Sequence, residues 1–140
     1  MTNIAAHALP HMLPGCVNAR IALFAVRRMG AHGLADARAT QALFTAFGEG
    51  FRRPLMLLRA MMADLAGTAS TSIAIAPCCC ARMTPAEAAL LTVLARVETR
   101  PETARLLMAD LLGVRRIDGV LASAAAVAAA FADAGRPISA

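Results

Sequence analysis

The sequence predicts an all-α protein, a compact bundle of about five to six helices with one irregular, cysteine-bearing loop. Three observations point there. Alanine supplies much of a 59% hydrophobic fraction, and alanine is the best helix former while being a poor strand residue. Apolar side chains recur at helical spacing, as in Leu55, Leu58, Met62 and Leu65. Thr84-Pro85-Ala86-Glu87 combines a capping threonine, a first-turn proline and a reciprocal glutamate, the local signature of a helix start. With 140 residues, one core is the default. Aromatic content is 4% with no Trp or Tyr, so Leu, Met, Val, Ile and five Phe must build that core.

Taken in order, residues 1–15 mix His7, Pro10, His11 and Pro14 without periodicity and read as a flexible arm. A first helix is expected over 18–29, with Arg20, Arg27 and Arg28 in one arc and Ile21, Ala22, Ala25, Val26 and Met29 opposite. Gly30 and Gly33 punctuate, and a second helix over 35–47 would pack Leu43, Phe44 and Phe47. Gly48 and Gly50 make a tight connection, Pro54 suits the first turn of a third helix, and Gly67 closes it. Residues 68–83 form the longest irregular piece, in which Ile73 and Ile75 alternate with small residues as in a short extended segment leading into Pro77.

The helix from Thr84 buries Leu90, Leu91, Leu94 and Val97, and Thr99 with Glu102 repeats the capping spacing around Pro101. A fifth helix carries Leu107, Met108 and Leu111 and stops at Gly113. The last, over 118–133, is so rich in alanine that neighbours can approach closely along Ala124, Val127 and Phe131. Gly135 and Pro137 end it, leaving an arm at 1–15, a single helical domain at 16–135 and a short tail at 136–140.

Mean hydropathy is +0.60, yet no uninterrupted run reaches the roughly 18 apolar residues of a membrane span. Met1 to Ala19 lacks a basic stretch ahead of a hydrophobic one, so a cytoplasmic location is expected. All 14 basic side chains are arginine, and against 9 acids they leave a net charge of +5. That surplus is spread along the chain, without a dense basic run or the aromatics that stack on bases, which argues against a nucleic-acid surface.

The chemically unusual spot is Cys78-Cys79-Cys80, in a loop just before a helix N-terminus and Arg82. Both neighbours favour a thiolate. Three sulfurs could hold zinc or iron if Cys16, His7, His11 or His32 supplied a fourth ligand, although contiguous cysteines lack the two-residue spacing that wraps a zinc ion. Structural packing of buried free thiols is the competing reading. His7 and His11 are four apart but flank Pro10, and His32 sits in a turn where a surface or capping histidine is the commoner use.

Arginines near helix ends ordinarily neutralise terminal carbonyls or pair with acids. Arg52 and Arg53 instead precede a helix, where positive charge opposes the dipole, and would meet an acidic partner or a carboxylate such as Asp64. Together with Arg20, Arg27 and Arg28 they are the partner-binding candidates. No nucleophile with base and orienter, and no phosphate-cradling glycine loop, can be read, which argues against an enzyme.

The stretches Phe51-Arg52-Arg53-Pro54-Leu55, Ala76-Pro77-Cys78-Cys79-Cys80 and Arg82-Met83-Thr84 resemble an uncharacterised family of small bacterial helical proteins. The resemblance runs from the first helix through the capping threonine and implies a helical fold with no assigned activity. The leading expectation is a non-enzymatic regulatory or interaction module, partnered by protein, whose cysteine loop responds to metal or oxidant. A plain helical adaptor or oligomer, packing through its alanine-rich last helix, and an arginine-mediated nucleic-acid binder are the alternatives.

Overall fold

The computed structural model describes residues 9–139. Its elements are β1 (His11–Met12), α1 (Val17–His32), α2 (Ala37–Phe47), a 3₁₀ turn (Gly48–Phe51), α3 (Arg52–Thr68), β2 (Arg82–Met83), α4 (Pro85–Arg96), α5 (Pro101–Leu112) and α6 (Asp118–Asp133). The all-α expectation holds, with a two-residue antiparallel ladder, His11 opposite Met83 and Met12 opposite Arg82, as the one sheet among the described residues. No helix among them is long and apolar enough to cross a membrane.

Local chemistry accounts for most boundaries. Asp36 caps α2 by accepting from the Ala39 amide. Thr84 and Glu87 form the full reciprocal box at α4. At α5 the expected cap fails: Pro101 occupies the first helical position, so the cap falls on Arg100, which makes no side-chain capping bond, and Thr99 lies one residue too early. The 3₁₀ turn feeds directly into α3, so that helix begins at Arg52 and Pro54 sits in the first turn, where amides have no helical partner anyway. Gly67 lies inside α3 and Ala69 caps its end. Ile73 and Ile75 form no strand and lean half-buried on the core instead.

Three pairings dominate the packing: α3 on α6, α4 on α5, and α1 on α2. Ala124, Val127, Ala128, Ala130 and Phe131 of α6 are all buried, and Phe131 meets Phe47 edge to face at 4.9 Å. The face of α6 marked by Ala124, Val127 and Phe131 therefore packs inside the fold.

Both chain ends depart from the loose-arm and short-tail expectation where they are described. Leu9 is buried with Ala76 and Cys80, β1 pairs with the loop, and the Pro14 carbonyl accepts from Arg20 Nε at 2.6 Å. At the other end Arg136 donates to the Ala46 carbonyl and to Asn18 Oδ1, Pro137 accepts from Asn18 Nδ2, and Ile138 is buried. Apolar anchors at Leu9 and Ile138 explain why these segments dock.

Gly113 ends α5 in the left-handed region, φ 68°, and a Cβ there would meet Ser70 Oγ at 2.6 Å. Ser70 bridges to α5 by donating from its hydroxyl to the Leu112 and Gly113 carbonyls. Gly113→Ala should lower stability in urea by about 1–2 kcal/mol, whereas Gly67→Ala, inside a helix with open space around it, should raise it by about 0.5–1 kcal/mol.

Candidate functional site

Arg27 is 2% exposed and Glu87 is 2% exposed. The arc that places Arg27 on a solvent face of α1 is therefore wrong for this residue: it follows buried Ala19 and Leu23 at helical spacing and points into the interior. Its guanidinium donates from Nε to Glu87 Oε2 at 2.7 Å and from Nη2 to Glu87 Oε1 at 3.1 Å. Two further donors go to backbone, with Nη1 reaching the Cys80 carbonyl at 2.9 Å and Nη2 the Arg82 carbonyl at 2.7 Å. Glu87 is equally occupied. Oε1 accepts the Thr84 amide at 2.9 Å and Oε2 the Ala76 amide at 3.2 Å, while Thr84 Oγ1 donates to the Ala74 carbonyl at 2.7 Å. A bidentate buried pair with four acceptor positions of the carboxylate and four of the five guanidinium protons used is an arrangement in which desolvation is well offset.

This network fixes the segment 74–84 between α1 and α4, and with it the three cysteines. Cys80 closes a turn by donating its amide to the Pro77 carbonyl at 3.0 Å, and its side chain is buried beside Leu9 and Ala76. Cys79 is exposed and Cys78 half-buried. The charged neighbour of Cys78 is Arg28, one residue along from Arg27. Arg28 forks onto Asp36 at 3.0 and 2.8 Å. Its pKa is raised by Asp36 first and, against partial desolvation, by the Cys78 thiol beside it. Asp36 is held down at about 2 chiefly by Arg28, opposed by desolvation and aided by the Ala39 amide and the charge of His32. Arg82, the residue expected beside the thiols, instead gives its carbonyl to Arg27 and reaches the Leu9 carbonyl at 3.5 Å.

The metal expectation for Cys78, Cys79 and Cys80 finds no support among the described residues. Among the described residues no three His, Cys, Asp or Glu side chains come together to hold an ion; one thiol faces the interior, one solvent and one Arg28. Cys16 sits at the far end of α1, about 18 Å from Arg28 along the axis. There it caps the helix, its sulfur accepting the Ala19 amide at 3.5 Å. Burial works to raise the Cys16 pKa, but hydrogen bonds with the Ser139 side chain and backbone, Ala19 and Asn18 leave it lowered. His11 lies exposed in β1, His32 exposed in the last turn of α1, and His7 lies outside the described residues.

The arginine candidates disperse likewise. Arg20 holds the Pro14 carbonyl, and Arg53 pairs with Asp133 at 2.9 Å on the surface rather than with Asp64, which accepts from Ser123. Arg52 lies 5.8 Å over the Phe51 ring and remains exposed. Two residues that sequence reasoning passed over as site members, Glu87 and Asp36, are the ones that organise the loop. Glu87 enters the sequence reading only as the capping partner of Thr84, and Asp36 falls inside the stretch expected as the second helix although it caps α2.

Arg27→Met or Glu87→Leu alone should each cost about 3–5 kcal/mol in urea unfolding, because the surviving charge is left buried and unpaired, while the double variant should cost well under the sum. Additive losses would show that the two side chains do not act as a unit. The depressed Asp36 pKa means its contribution to stability is complete above the ordinary 3.8 and is lost as pH falls through about 2. The urea midpoint of Asp36→Asn should therefore vary less than that of the parent between those two values.

No curated protein and no solved structure matches the chain. A family model does, over residues 3–104, a span that includes α1 to α4, the cysteine loop and the Arg27–Glu87 pair. The chain belongs to the DUF6628 family, a family of unknown function.

Proposed function

We propose that the chain is a non-enzymatic regulatory module in which oxidation of Cys78 and Cys79 by a peroxide changes the surface that the loop 76–84 offers to a protein partner. The observation that carries this reading is the Cys78 thiol beside the Arg28 guanidinium, with the exposed thiol of Cys79 next to it in the same turn. Reactive cysteines are partly accessible and sit against positive charge. Four free thiols also suit a reducing compartment, so a cytoplasmic location is part of the proposal.

In the step envisaged, the Cys78 thiolate attacks one peroxide oxygen and displaces hydroxide, giving the sulfenic acid. The Cys79 thiol then attacks that sulfur, a disulfide forms, and water leaves with the proton from Cys79. Two thiols and one peroxide become one disulfide and two waters. A disulfide between adjacent residues closes a strained ring, and the turn that must accommodate it is the one whose Cys80 and Arg82 carbonyls rest on Arg27. Moving those two acceptors would release the exposed side of the loop, Cys79, Ala81 and Arg82.

Burial of Cys80 with Leu9 and Ala76 favours a purely structural use of that one thiol, which is where the plain-adaptor alternative retains support. Intact-mass measurement after stoichiometric peroxide separates the readings. The full chain and its Cys80→Ser variant should each lose two hydrogens, Cys78→Ser and Cys79→Ser should not, and exchange of the Cys80 to Arg82 amides should quicken with the mass change. Arg28→Ala should slow iodoacetamide alkylation of Cys78 about fivefold, the size of a ~1 kcal/mol charge contact near water. An unchanged mass, or alkylation of Cys78 indifferent to Arg28, would leave the cysteines structural.

A further inference from the structure

Between α1, α3, α4 and α5 lies an apolar cavity of about 230 Å³, open on one side. Val26, Met62, Leu65, Leu90 and Leu111 form its helical walls, and the irregular stretch 71–75, with Ile73 inward, forms the remaining one. That stretch is anchored at both ends. Ser70 donates its amide and hydroxyl to the last carbonyls of α5, and the Ala74 carbonyl and Ala76 amide are held by Thr84 and Glu87. Only Thr71, Ser72 and Ile73 lie between the anchors, and the first two are exposed at the rim.

We infer that this cavity is a binding site for a small uncharged molecule with an apolar body and a hydroxyl-bearing end. Three observations select that class. Engineered apolar cavities of about 150 Å³ already hold benzene, so 230 Å³ is ample for a compact aliphatic or monocyclic ligand. At roughly 30 Å³ per methylene-sized unit, close to the share of a liquid water, the space takes a chain of about eight carbons. The one charged side chain in the lining, Glu87, already has both oxygens engaged by Arg27, Thr84 and Ala76, so a charged ligand would be desolvated there with nothing to compensate it. The hydroxyls of Thr71 and Ser72 stand at the mouth, where a ligand hydroxyl can pair with them and with water. Met62, an unbranched and adaptable side chain, lets the walls conform to more than one ligand shape.

The inference does not depend on the thiol chemistry, and its test is separate from it. The probe is n-octanol, titrated into the full reduced chain while methyl resonances are followed by NMR and unfolding by calorimetry. Saturable shifts at the Met62, Leu65, Leu90 and Leu111 methyls, with a higher Tm, are expected. Octanoate at pH 8 should bind at least tenfold more weakly. Ala66→Phe places a ring at an exposed rim position of the cavity, where the fold tolerates it, and should abolish the shifts while leaving the Tm of the free protein within a few degrees. Ala86→Leu, from the opposite wall, should do the same and guards against a folding failure in the first variant. Shifts that do not saturate or that fall elsewhere, octanoate binding as tight as octanol, or octanol binding untouched in folded Ala66→Phe and Ala86→Leu would each overturn the assignment.

Discussion

Putting Arg27 and Glu87 into the interior removes two charges from water, and the rest of the molecule is arranged so that this can be tolerated. An ion pair in a core is seldom a net source of stability, because apolar residues of the same volume often do as well or better. What it supplies is direction. Apolar contact between α1 and α4 would be satisfied by many small rotations, whereas a fork of hydrogen bonds to Glu87 and to the Cys80 and Arg82 carbonyls accepts one. The same glutamate closes the capping box of α4 and takes the Ala76 amide. Helix start, helix packing and the path of an irregular loop are therefore decided by one pair of side chains.

Adjacent arginines on α1 divide the labour. Successive residues on a helix point about 100° apart, so Arg27 enters the core while Arg28 stays at the rim, tied to Asp36 and beside Cys78. Arg27 holds backbone and Arg28 faces a side chain. A change at the Cys78 sulfur thus begins at a partly exposed position but acts on a loop whose carbonyls are pinned two and four residues further on. Cys80 belongs to the pinned part, and its burial with Leu9 couples the N-terminal segment to the same scaffold.

Several features that depend on neighbours in sequence are legible, although the Thr99–Glu102 spacing misplaces the cap of α5 and Gly67 does not end α3. Thr84 to Glu87 announces the start of α4 because both capping partners lie within one turn, Gly113 ends α5 because a left-handed residue is needed there, and residues 118–133 match α6 at both ends. Features that depend on distant partners were not. Arg27 meets Glu87 across 60 positions, and helical periodicity groups an arginine with the polar face, so its spacing from buried Ala19 and Leu23 carries no sign of its own burial. The same blindness hid the docking of Asn18 on Pro137 and the pairing of β1 with β2. For the cysteines, three identical residues in a row cannot reveal that one turn will send them to the interior, the solvent and an arginine.

Cavity and cysteine loop are successive parts of one strap, and the clamp between them is the first turn of α4. Ile73 and Ile75 line the cavity, Ala74 and Ala76 are held by Thr84 and Glu87, and Cys78 to Cys80 follow within a few residues. A shift of the loop can reach the cavity wall only by loosening those bonds or by carrying Glu87 with it. Linkage then demands symmetry: a ligand that binds one arrangement of the wall better must alter the loop equilibrium by the same free energy that loop oxidation takes from or adds to its binding. A ligand indifferent to the position of Ile73 would leave the thiols unaffected however tightly it bound. In the proposed oxidation, any coupling between the two regions would pass through the bond by which Glu87 holds the Ala76 amide.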